Sequence, residues 1–286
     1  MRIKVNGVSL YFDVEGAGLV PDGPVMRERP TLILLHGGPG ADHTLFKSRW
    51  NALTDVAQIV YLDHRGNGRS DDGDPSLWTL DQWGDDVRGL CDALEIEKPI
   101  VAGVSFGGFV AQSYATRHAD HVGGLLLVST AARFDFGAMF DAFEAVGGAK
   151  ARAAAEGYWL APTAESRAHY GKTCLPYYYQ TGLDEDVMKR IMFKNPVALR
   201  FNGADNEQGR MDFRPALANF DAPTLVMVGE DDPITPPAFS EAICEALPGG
   251  AALRRYARCG HGVIEDRPDA LDDVRAFIET TYEGLR

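Results

Sequence analysis

No run of this chain stays apolar for the roughly 18 residues that a membrane-spanning helix needs. Its start, Met1-Arg2-Ile3-Lys4-Val5-Asn6-Gly7, alternates in polarity like a strand and lacks the apolar block of a secretory leader. A cytoplasmic protein with no membrane partner is therefore the expectation. Cysteine is scarce: four residues in 286 (Cys91, Cys174, Cys244, Cys259), scattered, without the spacing of a disulfide frame or a metal site. They read as reduced core residues, and Cys259-Gly260-His261 is too short and isolated for a zinc motif. No metal and no cofactor are expected. Positive charge is also in deficit. Lys and Arg number 28 against 41 Asp and Glu, a formal net charge of −13, which argues against nucleic acid and anionic surfaces as partners. The deficit is uneven: Arg133 to Arg214 holds 11 acidic and 11 basic side chains, so the excess acid lies in the two flanking parts.

Apolar material is ample, at 45% of residues, enough for one large domain or one domain with an insertion. Residues 2–6 and 8–14 alternate like strands around an Asn6-Gly7 turn. Residues 15–30, rich in Gly and Pro, read as a loop. Short apolar runs at Thr31 to Leu35, Gln58 to Leu62, Pro99 to Val104 and Val122 to Ser129 read as strands buried on both faces. Helical patterns fall between them, at about Thr44 to Leu53, Leu80 to Leu94 with Thr79 as N-cap, and Phe106 to His118. This alternation predicts an α/β fold with a mostly parallel sheet. It stops at Ala132. From Arg133 to Arg214 the pattern is helical, broken at Gly147-Gly148, Pro162, Pro176 and Asn195-Pro196, with Asp184 as the N-cap of a piece running to Lys194. Aromatic residues crowd this segment. Strands then resume at Thr224 to Val228 and Ala251 to Tyr256, with helices near Phe239 to Ala246 and Asp269 to Tyr282. The division expected is a core of residues 1–132 and 215–286 interrupted by a helical cap of 133–214.

The chemistry centres on Gly103-Val104-Ser105-Phe106-Gly107, a G-x-S-x-G pattern between a buried strand and a helix. A serine on so tight a turn stands clear of the sheet, and a side chain at position 103 or 107 would crowd it. A serine hydroxyl is a poor nucleophile near neutral pH and needs a base, itself oriented by an acid. In hydrolases built on this turn the acid and then the histidine follow in the chain. Glu230-Asp231-Asp232 follows the Thr224 strand, and His261, between two glycines that let its loop approach the serine, follows the last strand. Asp232 is the expected acid and Asp231 the alternative. Oxyanion donors are expected from the Phe106 amide and from the loop His36-Gly37-Gly38-Pro39-Gly40, with Gly38 the candidate. His36 reads as holding that loop, and His64 with Arg65 as bracing the next strand end. Glu265 reads as a surface or helix-start carboxylate.

As a set, H-G-G-P-G at 36–40, D-H-R-G-N-G-R-S at 63–70, G-V-S-F-G-G at 103–108, G-E-D-D at 229–232 and G-H-G at 260–262 resembles the α/β-hydrolase superfamily, most closely its proline iminopeptidase-like branch. The resemblance implies Ser105 as nucleophile, Asp232 as acid, His261 as base, and Gly38 and Phe106 as oxyanion donors. Phe106 stands where that branch carries tryptophan, in a pattern shared with esterases and carbon–carbon bond hydrolases. The branch also implies cap glutamates that bind a substrate amine, with Glu144, Glu156, Glu165 and Glu207 as candidates. The function expected is a serine hydrolase cleaving a carboxylic ester or N-terminal amide of a small substrate (an ester, lactone or short peptide), as carboxylesterase or aminopeptidase, with a lactonase or carbon–carbon bond hydrolase on the same triad as an alternative. A non-catalytic ligand-binding protein of the same fold is the alternative from outside the enzymes.

Overall fold

The computed structural model describes residues 1–182 and 185–286. The strands are β1 (Arg2–Val5), β2 (Val8–Glu15), β3 (Leu19–Asp22), β4 (Val25–Glu28), β5 (Thr31–Leu35), β6 (Gln58–Asp63), β7 (Ile100–Val104), β8 (Gly124–Val128), β9 (Thr224–Gly229) and β10 (Ala252–Tyr256). Eight of them form one sheet in the order β1-β2-β6-β5-β7-β8-β9-β10. Only β1 with β2 and β2 with β6 pair antiparallel; the other neighbours are parallel. Successive residues of a strand face opposite sides, and here both sides are covered. Ile33, Leu35, Val101, Leu125 and Leu127 enter one apolar cluster, while Leu32, Leu34, Ala102, Leu126 and Met227 enter the other. That is why these strands read as unbroken apolar runs.

The helices before β8 are α1 (Lys47–Trp50), α2 (Leu80–Ala93) and α3 (Phe106–Arg117). Thr79 caps α2 by accepting from the Gln82 amide. Between β8 and β9 lie α4 (Phe136–Trp159), α5 (Ala164–Cys174), α6 (Glu185–Arg190), α7 (Asn195–Phe201), α8 (Glu207–Arg210) and α9 (Arg214–Leu217). The chain ends with α10 (Pro237–Ala246), α11 (Val263–Asp266) and α12 (Ala270–Leu285). Among the described residues, no helix is long and apolar enough to cross a membrane. All four cysteines are free, three of them buried and Cys244 half-buried.

Three local expectations need correction. Residues 15–30 are not a loop throughout: β3 and β4 form a separate hairpin. Their side chains are almost all exposed, so no buried face imposes the alternation by which a strand is recognised. The helix expected over 44–53 is instead α1 flanked by 3-10 turns at His43–Leu45 and Asn51–Leu53. The break expected at Gly147-Gly148 is present: Gly148 (φ 67°, ψ −172°) leaves helical geometry and kinks α4 there. The piece expected to run to Lys194 stops at Arg190, because the Met192 amide donates to Asp42 and the Lys194 amide to the Gly40 carbonyl. Those amides hold the glycine-rich loop and are lost to a helix. Its expected cap, Asp184, lies outside the described residues.

Candidate active site

Ser105 stands between the last residue of β7 and the first of α3, at φ 54° and ψ −118°. A non-glycine residue there carries backbone strain of about 1–3 kcal/mol, and the surroundings over-determine it. A Cβ on Gly103 would lie 2.3 Å from the Gly107 carbonyl oxygen, and one on Gly107 only 2.1 Å from that of Leu35. The strand and helix can meet this closely only with bare backbone at both positions. The turn is also tied by hydrogen bonds: the Ser105 amide donates to the Val128 carbonyl at 2.9 Å, and Thr130 Oγ1 donates to the Ser105 carbonyl at 2.8 Å. Phe106, next in the chain, packs its ring edge-on against His64, Trp83 and Phe201. Its amide belongs to the first turn of α3, where N–H groups have no intrahelical acceptor.

The structure brings Ser105, His261 and Asp232 together. His261 Nε2 is 2.9 Å from Ser105 Oγ, and its Nδ1 lies 3.0 and 2.9 Å from the two Asp232 oxygens. An ionised carboxylate only accepts, so the imidazole proton sits on Nδ1 and the Nε2 lone pair faces the serine hydroxyl. Burial pushes the Asp232 carboxyl up, but His261 and the Thr235 amide and hydroxyl more than offset it and hold it below the ordinary value. Ile234 and Thr235 amides donate to Oδ1 at 2.8 and 3.0 Å, and Thr235 Oγ1 to Oδ2 at 2.8 Å. Asp231 is exposed, and its amide donates to the Cys259 carbonyl. Gly38 (φ 129°) lines the same cavity as Ser105.

His36 and Arg65 support the neighbouring strand ends. His36 Nδ1 lies 2.7 Å from its neighbour's carbonyl at Gly37, and His36 Nε2 accepts from the His64 amide. Arg65 forms a two-pronged pair with Asp86, both side chains almost fully buried. Asn67, unremarked in the sequence, accepts from the Gly40 amide at 2.6 Å and so pins the glycine-rich loop.

The segment between β8 and β9 takes part in holding His261. The Tyr178 carbonyl accepts from the His261 amide at 2.7 Å, and the Tyr178 ring lies edge-on to the imidazole. Asp266 accepts from the amides of Gly260, Gln180 and Thr181 at 2.8–3.0 Å, clamping the histidine loop to this segment. The glycines flanking His261 thus serve a partner different from the one expected. A Cβ on Gly260 would meet the Tyr178 carbonyl at 2.4 Å, and one on Gly262 the Tyr179 ring at 2.2 Å. Sequence spacing offered no signal for Tyr178 or Asp266, since both act through contacts distant in the chain. Over Ser105 lies a cavity of about 320 Å³, near the small end of the roughly 300–1,000 Å³ usual for ligand sites. Phe46, Phe109, Phe134, Trp159, Tyr170 and Met188 are among its walls.

Residues 30–268 match the family model described as alpha/beta hydrolase fold. The chain belongs to the alpha/beta hydrolase family. It is a hydrolase, and its mostly parallel eight-stranded sheet flanked by helices is that family's fold. The proline iminopeptidase PfmaB of Pestalotiopsis fici is 26% identical over 97% of this chain and 98% of its own. The 3-oxoadipate enol-lactonase 1 of Acinetobacter baylyi is 26% identical over 84% of this chain and 82% of its own. Among solved structures, a thermophilic esterase from Thermogutta terrifontis superposes with a TM-score of 0.73 at 25% identity, covering 98% of this chain and 99% of the other. The two sequence relatives are equal in identity yet named for different substrates, so the substrate class has to be read from the cavity.

The carboxylates of this hydrolase's inserted segment do not supply that reading. Glu144 and Glu156 pair with Arg152, Glu165 is exposed, and Glu207 accepts from the Leu80 amide at the start of α2; none of the four lines the cavity. Among the described residues, the carboxylate that does is Glu265. It sits in the short α11, as expected of a helix-start residue, and is half-buried: the turn of α11 after His261 carries its carboxylate inward beside Tyr179.

Proposed function

We propose that this hydrolase cleaves carboxylic esters of small substrates with an apolar body, through an acyl-enzyme on Ser105. The observation that carries the reading is the hydrogen-bonded line from Ser105 Oγ through His261 to Asp232 at the floor of an aromatic cavity. His261 Nε2 takes the serine proton as Oγ attacks the carbonyl carbon. The oxyanion that forms is met by the amides of Gly38 and Phe106. The imidazolium, stabilised by ionised Asp232, then gives its proton to the departing alcohol. Water, activated by the same imidazole, attacks the acyl-enzyme and releases the acid. A lactone passes through the same steps, with its alcohol staying attached to the acyl group. The segment 133–214 acts as a cap whose aromatic side chains cover the apolar part of the substrate. Cleavage of an N-terminal amide is the second reading, favoured by Glu265, the one carboxylate in the cavity wall among the described residues.

The test is a parallel assay of wild type and Ser105→Ala on acyl esters of several chain lengths, lactones, and proline and other aminoacyl arylamides. The expected result is turnover of short esters by wild type and a loss of about 10⁴-fold or more in the variant. Full activity in Ser105→Ala would refute the assignment.

A further inference from the structure

Glu265 is left unsatisfied in the wall of the Ser105 cavity, where the Trp159 indole N–H is the other buried polar group among the described residues without a partner. Its carboxylate accepts no hydrogen bond from any other described residue, and Oε1 is sealed from solvent without a partner. The next residue, Asp266, has both oxygens engaged. Other polar side chains of the cavity wall also have partners: Asn202 donates to the Tyr158 hydroxyl, Gln208 accepts from the Gly203 amide, and Arg167 reaches Asn195. Glu265 is wedged in place. Its Oε2 would lie 2.9 Å from a Cβ on Gly262, which the Tyr179 ring also approaches. It lines both the Ser105 cavity and a smaller one of about 50 Å³ bordered by Arg49 and Thr181.

A buried acceptor without a donor is costly to keep. No catalytic step above uses Glu265, and no packing contact needs a carboxylate there. We infer that Glu265 is a specificity-determining residue, whose carboxylate accepts a hydrogen bond from a donor group, ammonium or hydroxyl, carried by the substrate. The electrostatics agree. Burial pushes its carboxyl up to about 7, against the pull of Arg49 and His261. A donor entering the cavity would return the hydrogen bond that burial removes, and a cationic donor would also favour the ionised form. The inference rests on the proposed ester hydrolysis at Ser105 and narrows its substrate class.

The experiment uses matched esters that carry an ammonium, a hydroxyl or a hydrogen at one position. On the acyl side these are benzyl alaninate, benzyl lactate and benzyl propionate. On the alcohol side they are the butyrates of ethanolamine, ethylene glycol and ethanol. The readout is the ratio of kcat/KM for each donor-bearing ester to that of its hydrogen analogue. Wild type should favour a donor on one of the two sides by about tenfold or more. Glu265→Leu should bring that ratio close to one. Glu265→Gln, which keeps an acceptor but loses the charge, should retain a hydroxyl preference and lose an ammonium preference. Thermal melts of both variants check that they fold. A ratio near one in wild type on both sides, or an undiminished preference in a folded Glu265→Leu protein, would overturn the inference while leaving the hydrolase reading intact. No turnover of any of the six esters by wild type would overturn both.

Discussion

The sheet around Ser105 and the helices of residues 133–214 are both apolar and both well packed, but they are built on different constraints. Around the serine, backbone meets backbone. Gly103 and Gly107 leave no room for a methyl group, and the two parallel neighbours β5 and β8 hold β7 in register. In the segment 133–214, ring meets ring. Phe134, Phe136, Tyr158, Trp159 and Tyr170 form a chain of stacked and edge-on contacts, and Gly157 in α4 has nothing near its missing Cβ. Ring packing tolerates exchange of one large apolar side chain for another, whereas close backbone approach does not. The first region is thus suited to fixed geometry and the second to a variable cavity wall. The two are joined where Tyr178 and Asp266 grip the loop of His261.

That contrast can be broken at several points. The largest effect is expected from Gly107→Ala. Its new Cβ would press on the Leu35 carbonyl carbon and oxygen, so the protein should lose several kcal/mol of stability or fail to fold, read by chemical denaturation. Arg65→Met comes next. It strands the buried Asp86 carboxylate, and a loss of about 3–5 kcal/mol is expected. A smaller effect falls on the joint: Asp266→Asn replaces an acceptor of four hydrogen bonds and should cost about 1–3 kcal/mol, with a lower kcat as the His261 loop loosens. Tyr178→Phe, which keeps the carbonyl and ring and removes only the hydroxyl bond to Tyr170, should cost less. The smallest effect has the opposite sign. Gly157→Ala, in open space inside a helix, should stabilise by about 0.5–1 kcal/mol.

Glu265 adds a pH-dependent difference. Its carboxyl is raised from 4.5 to about 7 in the fold, so between those values the native state holds a proton that the unfolded chain has released. Stability must then fall as pH rises through this window and level off above it. Relative to wild type, Glu265→Gln should therefore gain in melting temperature between pH 5 and pH 8. An unchanged difference across that range would contradict the raised carboxyl.

How much could be read in the sequence follows the same division. The buried strands, Thr79 as the cap of α2 and the positions of Ser105, Asp232 and His261 were legible because each depends on local signals: apolar runs, a capping hydroxyl, glycine-bounded turns. The hairpin of β3 and β4 was not, since exposed strands bury no face. Nor was the early end of α6 at Arg190, because the amides beyond it are taken by Asp42 and Gly40, some 150 residues earlier in the chain. The place of Glu265 in the cavity wall was not legible for a related reason. Glu265 is the immediate neighbour of Asp266 in the chain, yet one lines the cavity and the other clamps the loop. Only the turn of α11 against Tyr179 decides which is which.

The most direct measurement is reaction of the folded protein with an alkyl fluorophosphonate, followed by peptide mass spectrometry. The account predicts a single covalent adduct on Ser105, formed rapidly in wild type and slowed at least a hundredfold in His261→Ala. Binding of the reagent without an adduct on Ser105, or equal labelling rates in the two proteins, would contradict it.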